Sequence, residues 1–308
     1  MKAFYSKNIF IDSEFKAGYL IVNQGRIEAL LPKLPVSFSG QVKNYEAYTI
    51  LPGFIDCHVH VNEPGRTEWE GFETATQSAS FGGITTLVDM PLNCSPVTIS
   101  EDALLVKLEA LRGKIYVDCA YWGGVTPGSI TGLSDLLDAG VMGVKSFMIH
   151  SGLDEFPHVG MQHIREAMPY LKKAGLPYLV HAELDSGEAS HIKVTNRYQD
   201  FLNSRPHSFE TNAIKHLIQL AEETGCRVHI VHLSSAEALP MIREARQSRV
   251  PISVETCPHY LCLEAESIDD GQTVFKCCPP IRERDNRLKL WEGLRQGYID
   301  MIVSDHSP

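Results

Sequence analysis

From about residue 50 onward, short apolar runs rich in β-branched residues alternate with longer segments whose apolar residues recur at helical spacing, and this rhythm constrains the fold more than any other feature. The runs fall at 53–58, 85–90, 115–122, 143–148, 178–181, 227–232, 252–256 and 301–304. Helical segments are predicted at 68–81, 100–111, 160–174, 210–224, 236–245 and 284–294. Strands that alternate with helices form a parallel sheet with the helices packed outside it. Eight such units suggest a closed barrel, although an open doubly wound sheet would show the same alternation. Residues 1 to about 50 differ: short alternating stretches at 8–11, 19–23, 26–31 and 48–51, broken by Gly, Asn and Pro, predict a small antiparallel sheet.

Composition narrows the function. The chain has 308 residues, 44% of them hydrophobic and 21% charged, which suits a large α/β domain with a smaller appendage. A net charge of −10 without a Lys/Arg cluster argues against a nucleic-acid partner, because phosphate binding requires a basic patch. No apolar run is long enough for a signal peptide or a membrane span, so a cytoplasmic location and no membrane partner are expected. The eight cysteines are scattered and form no CxxC pair, as expected of reduced thiols.

Polar residues then fall where a barrel would do chemistry, at the C-terminal ends of its strands. The first run finishes in Asp56-Cys57-His58-Val59-His60, with two histidines facing the same way on an extended chain. Lys145 lies in the fourth, His181 ends the fifth, His232 the sixth, and Asp305 follows the eighth. Taken singly, a histidine is more often structural, and His150, His158, His163, His191, His207 and His216 are read that way. Four histidines, a lysine and an aspartate from five separate units together suggest a metal site. An ammonium in an apolar strand costs several kcal/mol unless it is paired or chemically changed. Lys145 therefore either snorkels to water or adds carbon dioxide to its neutral amine, giving a carbamate with one oxygen for each of two metals.

The motifs HVH, VKSF, LVHAE, VHLSS, ETCPHYL, KCCPPIR and VSDHSP, in this order across nearly the whole chain, are similar to those of the cyclic amidohydrolases. That family includes dihydroorotases, dihydropyrimidinases (hydantoinases) and allantoinases. The resemblance implies an α/β fold: a (β/α)8 TIM-type barrel over 51–308 and part of a small β-sandwich over 1–50. It also implies two zinc ions, one held by His58, His60 and Asp305 and the other by His181 and His232, bridged by N6-carboxylated Lys145. Hydrolysis by zinc-bound hydroxide with Asp305 as catalytic base and acid is implied in turn, and retention of all six positions disfavours the noncatalytic scaffolds related to this family.

Dihydroorotases carry an arginine where this chain has Asn62, and hydantoinases a tyrosine where it has His150. The stretches 60–72, 89–93 and 147–152 closely resemble allantoinases, implying conversion of allantoin to allantoate. Asn93, His150 and backbone near Cys278 are the implied substrate contacts, and a homo-oligomer, a tetramer in the family, is the implied assembly. The alternatives are a hydantoinase-like specificity, or a truncated noncatalytic chain that associates with full-length subunits. His259 either orients substrate or makes a structural hydrogen bond, and Gly82-Gly83 is read as a helix-to-strand turn.

Pro308 falls inside a motif that in the family continues into the final barrel helix and the rest of the β-sandwich, where an organelle address could also lie. Barrel surface left uncovered would make the 308-residue product unstable or aggregation-prone unless a partner supplies the remainder. Static light scattering during a thermal ramp checks this expectation, and a soluble, cooperative unfolding transition would contradict it.

Overall fold

The alternating stretches at the N-terminus form a sheet of mixed rather than antiparallel pairing, in a computed structural model that describes residues 1–308. Strand β1 (Lys2–Ile11) pairs antiparallel with β2 (Glu14–Asn23), which pairs antiparallel with β3 (Arg26–Leu31). Two-residue turns join them, with positive φ at Asp12, Ser13, Gln24 and Gly25, the backbone that matches the twist of a tight hairpin. On its other side β1 pairs parallel with β4 (Gln41–Asn44) and β5 (Thr49–Ile50). Alternation reports which face a residue takes but not strand direction, and here the crossover through 32–40 brings the chain back parallel to β1.

The chain divides into Met1–Phe54 and Ile55–Pro308. In the second unit, β6 (Phe54–Val59), β7 (Ile84–Asp89) and β8 (Asp118–Tyr121) are neighbours in one sheet. The next sheet runs through β9 (Gly123–Gly124), β10 (Val144–Phe147), β11 (Tyr178–His181), β12 (Val228–Ile230), β13 (Ile252–Thr256) and β14 (Met301–Ile302), each paired parallel with the next. Trp122 separates β8 from β9, which are one run in the sequence. A parallel bridge from Val59 to His306, with His60 N–H donating to the His306 carbonyl at 2.8 Å, returns the pairing to β6 and makes a ring.

Strands β10, β11 and β12 of this ring are buried along their whole length, on both faces, so that even their polar residues are enclosed. Helices cover the outside: α1 (Phe72–Phe81), α2 (Glu101–Ala110), α3 (Leu133–Asp138), α4 (Met161–Ala174), α5 (Tyr198–Asn203), α6 (His207–Thr224), α7 (Leu239–Gln247), α8 (Pro258–Cys262) and α9 (Arg284–Arg295). In α4 the buried residues Ile164, Ala167, Met168 and Leu171 follow the i, i+3, i+4, i+7 stripe. No helix is long and apolar enough to cross a membrane.

Most expected helices occur with small shifts, but 68–71 lies outside α1. There Glu63 accepts the Phe72 N–H at 2.9 Å, and its carboxylate starts the helix at Phe72. Gly82 and Gly83 (φ +83°) make the turn into β7, and the short α3, α5 and α8 carry too few turns to be read from periodicity. Gly143, at φ +149°, precedes β10 at a point where a Cβ would come within 2.4 Å of the Pro177 carbonyl oxygen, so a side chain there would displace the strand that carries Lys145.

A buried ion pair secures α2 to the end of β7. Lys107 is fully buried and Asp89 nearly so; the ammonium donates to Asp89 Oδ2 at 2.5 Å and to the Met90 carbonyl at 3.2 Å, while Asp89 Oδ1 accepts the Val61 N–H at 2.7 Å. Burial alone would lower the Lys107 pKa, but Asp89 outweighs it and the pKa is raised. Lys107→Met leaves this carboxylate buried without its cation, and chemical denaturation is expected to show a loss of about 3–5 kcal/mol. A loss below about 1 kcal/mol would contradict the role given to the pair.

Candidate metal centre

The strand ends open onto a cavity of about 860 Å³. His60, Lys145, His181, His232 and Asp305 line it, as do the three candidate substrate contacts Asn93, His150 and Cys278. His58 is fully buried, with its ring centroid 5.4 Å from that of His60 and 5.3 Å from that of His232. His158, His163, His191, His207 and His216 lie outside the cavity lining. Two of these have evident structural roles: His163 Nδ1 accepts the Gly160 N–H at 3.1 Å, and His207 meets Ser235 Oγ at 2.7 Å.

His58, His60 and Asp305 present donor atoms that all lie within 4.8 Å of one another. Asp305 Oδ1 stands 3.1 Å from His58 Nε2 and 3.4 Å from His60 Nε2. The outer ring nitrogens face oxygens: His58 Nδ1 is 2.5 Å from Glu255 Oε1, and His60 Nδ1 is 2.7 Å from the Leu92 carbonyl. An oxygen acceptor there holds the proton on Nδ1 and leaves the Nε2 lone pair facing inward, the tautomer that a metal requires.

A second set faces the first. His181 Nδ1 and His232 Nε2 are 3.0 Å apart, and Glu183 Oε2 meets His181 Nε2 at 2.7 Å, which fixes the proton on that outer nitrogen. His232 Nδ1 is buried without a hydrogen-bond partner. Two ring nitrogens turned toward one point need either a proton on one of them or a cation between them, and imidazole and carboxylate donors suit a divalent transition metal. The chain's own residues thus fit a metal at this place.

His232 and Asp305 both lie beyond the strands expected to deliver them, since β12 stops at Ile230 and β14 at Ile302. Both adopt left-handed backbone, with φ of +38° and +52°. Such conformations in residues other than glycine need surrounding support and concentrate at functional sites. The support is visible: Glu255 Oε1 accepts the His232 N–H at 3.3 Å, and Asp56 Oδ1 accepts the Ser304 N–H at 3.2 Å.

Burial sets the protonation of these groups. It lowers the His60 pKa to about 4, and it holds His181, with the help of the Lys145 charge, and His232, with the help of His181, well below the usual histidine range, so their lone pairs are free at neutral pH. Burial would raise Asp305, but His58 and His60 override it and keep the carboxylate ionised. Lys145 is lowered by burial to about 8, against the pull of Asp305 and Glu255. The contrast with Lys107 is chemical. Both amines are buried, but Lys107 has a carboxylate partner, whereas Lys145 forms no salt bridge and meets only His58 Nε2 at 3.2 Å and the Phe147 ring, 4.8 Å from its centroid.

Three further residues of the site, Glu255, Glu183 and Arg205, carry no expectation from the sequence. Glu255 and Glu183 stand inside quoted motifs, and a carboxylate in an apolar strand or beside a strand-end histidine, as Glu183 stands two residues after His181, signals a buried partner. Arg205 lines the cavity and donates to Glu183 Oε2 at 2.5 Å, a contact that no spacing reveals. His259 also lines the cavity, with its Nε2 buried and unpartnered. Asn62 is fully buried outside the lining, and neither of its side-chain amide atoms has a partner.

Comparison with known proteins places this geometry in a family. The chain is 49% identical over 277 residues to the allantoinase of Saccharomyces cerevisiae, covering 87% of this chain and 59% of that protein. It is 47% identical over 282 residues to the allantoinase of Arabidopsis thaliana, covering 87% of this chain and 56% of that protein. The chain therefore spans under two thirds of the length of these curated relatives. Among solved structures it resembles the L-hydantoinase (dihydropyrimidinase) from Arthrobacter aurescens, with a TM-score of 0.92, 27% identity, and coverage of 99% of this chain and 69% of that one. The amidohydrolase family model matches residues 49–307, and with the histidine, lysine and aspartate set at the strand ends this establishes that the chain belongs to the amidohydrolase family.

Proposed function

We propose that this chain carries the metal-dependent hydrolase domain of an allantoinase, which opens the ring of allantoin to give allantoate. The observation that carries the reading is Lys145, a buried amine without a carboxylate partner, among four histidines and an aspartate around one cavity. In this reading the ring of strands is a (β/α)8 barrel over residues 51–308, and residues 1–50 belong to a small β-sandwich. Two zinc ions would be held per chain, one by His58, His60 and Asp305 and one by His181 and His232, with Lys145 as the residue shared between them. Its neutral amine would attack carbon dioxide, forming a C–N bond as one C=O π bond opens and an N–H proton is released, so that the amine would become a carbamate anion with two oxygens to offer to metal.

Metal bound at these residues would lower the pKa of water toward neutrality and polarise a carbonyl. Asp305, ionised and lining the cavity, is placed to take the proton from the water that adds to the ring carbonyl. The same carboxyl group returns it to the ring nitrogen as the C–N bond breaks, leaving a carboxylate and a ureido group. Asn93 and His150 on the cavity wall are the proposed ureido contacts, and backbone near Cys278 the contact to the ring imide. The identity to allantoinases favours allantoin, while the likeness to a hydantoinase structure supports a related five-membered ring as the second reading. A homo-oligomer, a tetramer by family likeness, is part of the proposal, and sedimentation velocity measures it.

Zinc content measured together with allantoate release tests the whole reading: two ions per chain with turnover is expected, and turnover on hydantoin but not allantoin would transfer the assignment to the second reading. Asp305→Asn is expected to lower kcat by about 10²–10⁴-fold, and unchanged turnover with both ions retained would remove Asp305 as the base.

Lys145 also makes a thermodynamic prediction for the metal-free protein. Its pKa of about 8 lies below the ordinary 10.5, so between these values the unfolded chain binds more protons than the folded one and stability rises with pH. The contribution is roughly 3 kcal/mol at most. Urea denaturation of chelator-treated protein at several pH values is expected to show a shallower rise across this window in Lys145→Met, and an identical slope in both proteins would contradict the buried, unpaired amine.

A further inference from the structure

Glu255, on β13, is almost wholly buried and does not line the cavity, so it has no route to substrate. Its carboxylate nevertheless collects contacts from both halves of the centre. Oε1 stands 2.5 Å from His58 Nδ1 and accepts the His232 backbone N–H at 3.3 Å, while Oε2 meets His229 Nε2 at 3.0 Å. The Leu233 N–H donates to the Glu255 carbonyl at 2.8 Å, fastening the segment just after His232 as well. Its position in the ring explains the reach: β13 pairs with β12 on one side and with β14 on the other, and the segment after β14 bridges to β6, which carries His58.

The other outer contacts described above serve one ligand each. Leu92 holds His60, and Glu183 holds His181. Glu255 alone contacts a member of each set, a side chain in one and a left-handed backbone in the other. We infer that Glu255 is a positioning residue that locks the two metal-holding sets to each other and so fixes the spacing of the two ions. The inference rests on the two-metal reading of the cavity. A carboxylate that merely balanced charge in the core would support folding but leave metal affinity and spacing unchanged.

Glu255→Gln is the variant of choice because glutamine keeps one oxygen for His58 and His232, while its amide group can face His229, whose Nδ1 can donate to Ser253 Oγ, 2.8 Å away. Cobalt(II) replaces zinc as the probe; affinity is read by chelator competition and ion spacing by the magnetic coupling in the electron paramagnetic resonance spectrum. The expected result is a loss of about 10–100-fold in affinity for both ions, with weakened coupling, whereas Glu183→Gln, which touches no metal-holding residue other than His181, keeps the coupling. A Glu255→Gln protein with a lower melting temperature but unchanged affinity and coupling would overturn the inference. Should that variant fail to fold, His229→Asn removes one donor from the same carboxylate without altering a metal-holding residue; a smaller loss of affinity is expected, and no loss would overturn the inference. Wild-type protein that takes up only a single cobalt ion would remove the two-metal reading itself, and this inference with it, before any variant is compared.

Discussion

Burying an amine with no carboxylate in ion-pair contact is the constraint around which this molecule is organised. Lys145 sits in the middle of β10, nearly inaccessible to solvent, and meets an imidazole nitrogen and an aromatic ring in place of an ion-pair partner. A charged ammonium there would be costly, which is why its pKa falls to about 8. Lys107 shows that the same fold can pair a buried lysine when charge is required, by setting Asp89 opposite it. The difference between the two positions is therefore a difference in chemical task. One amine binds two elements together, and the other has its pKa brought down toward neutral pH at a point where strands from around the ring converge.

Around that amine the strands supply rigid backbone and a set of outer acceptors supplies direction. Glu255, Leu92 and Glu183 each hold the outer nitrogen of a histidine, so that the inner lone pairs turn toward the cavity before any ion arrives. Arg205 extends this support by holding Glu183, and Arg282 donates in turn to the Arg205 carbonyl at 3.1 Å and to Glu210 at 2.8 Å, whose other oxygen accepts the Ser234 and Ser235 N–H groups after β12. This buried polar network, in which Glu183 Oε1 alone of the two Glu183 oxygens has no partner, reaches from one histidine-bearing strand end to the next.

The parts that were legible in the sequence are those that depend on local periodicity. Tyr178–His181 and Ile252–Thr256 match the expected strands to the residue, because an apolar β-branched run fixes both its length and its burial. His58 and His60 could be paired from spacing alone, as residues two apart on a strand share a face. What depends on tertiary contact was not legible: the parallel return of β4 and β5 to β1, the break at Trp122, and the left-handed turns that carry His232 and Asp305 past the ends of their strands. The reach of Glu255 to His58, 197 residues away in the chain, belongs to the same class. The hydrophobic pattern places a residue on a face, and only the closed pairing of strands brings the faces together.

The state of Lys145 is the claim on which the account turns, and bicarbonate enriched in the heavy carbon isotope tests it most directly. Nuclear magnetic resonance of zinc-loaded protein is expected to show one carbamate carbon signal per chain that disappears in Lys145→Arg and on removal of the metal. A zinc-loaded, active protein without that signal would contradict the account, because Lys145 would then be an ordinary amine and the proposed bridge between the two histidine sets would be absent.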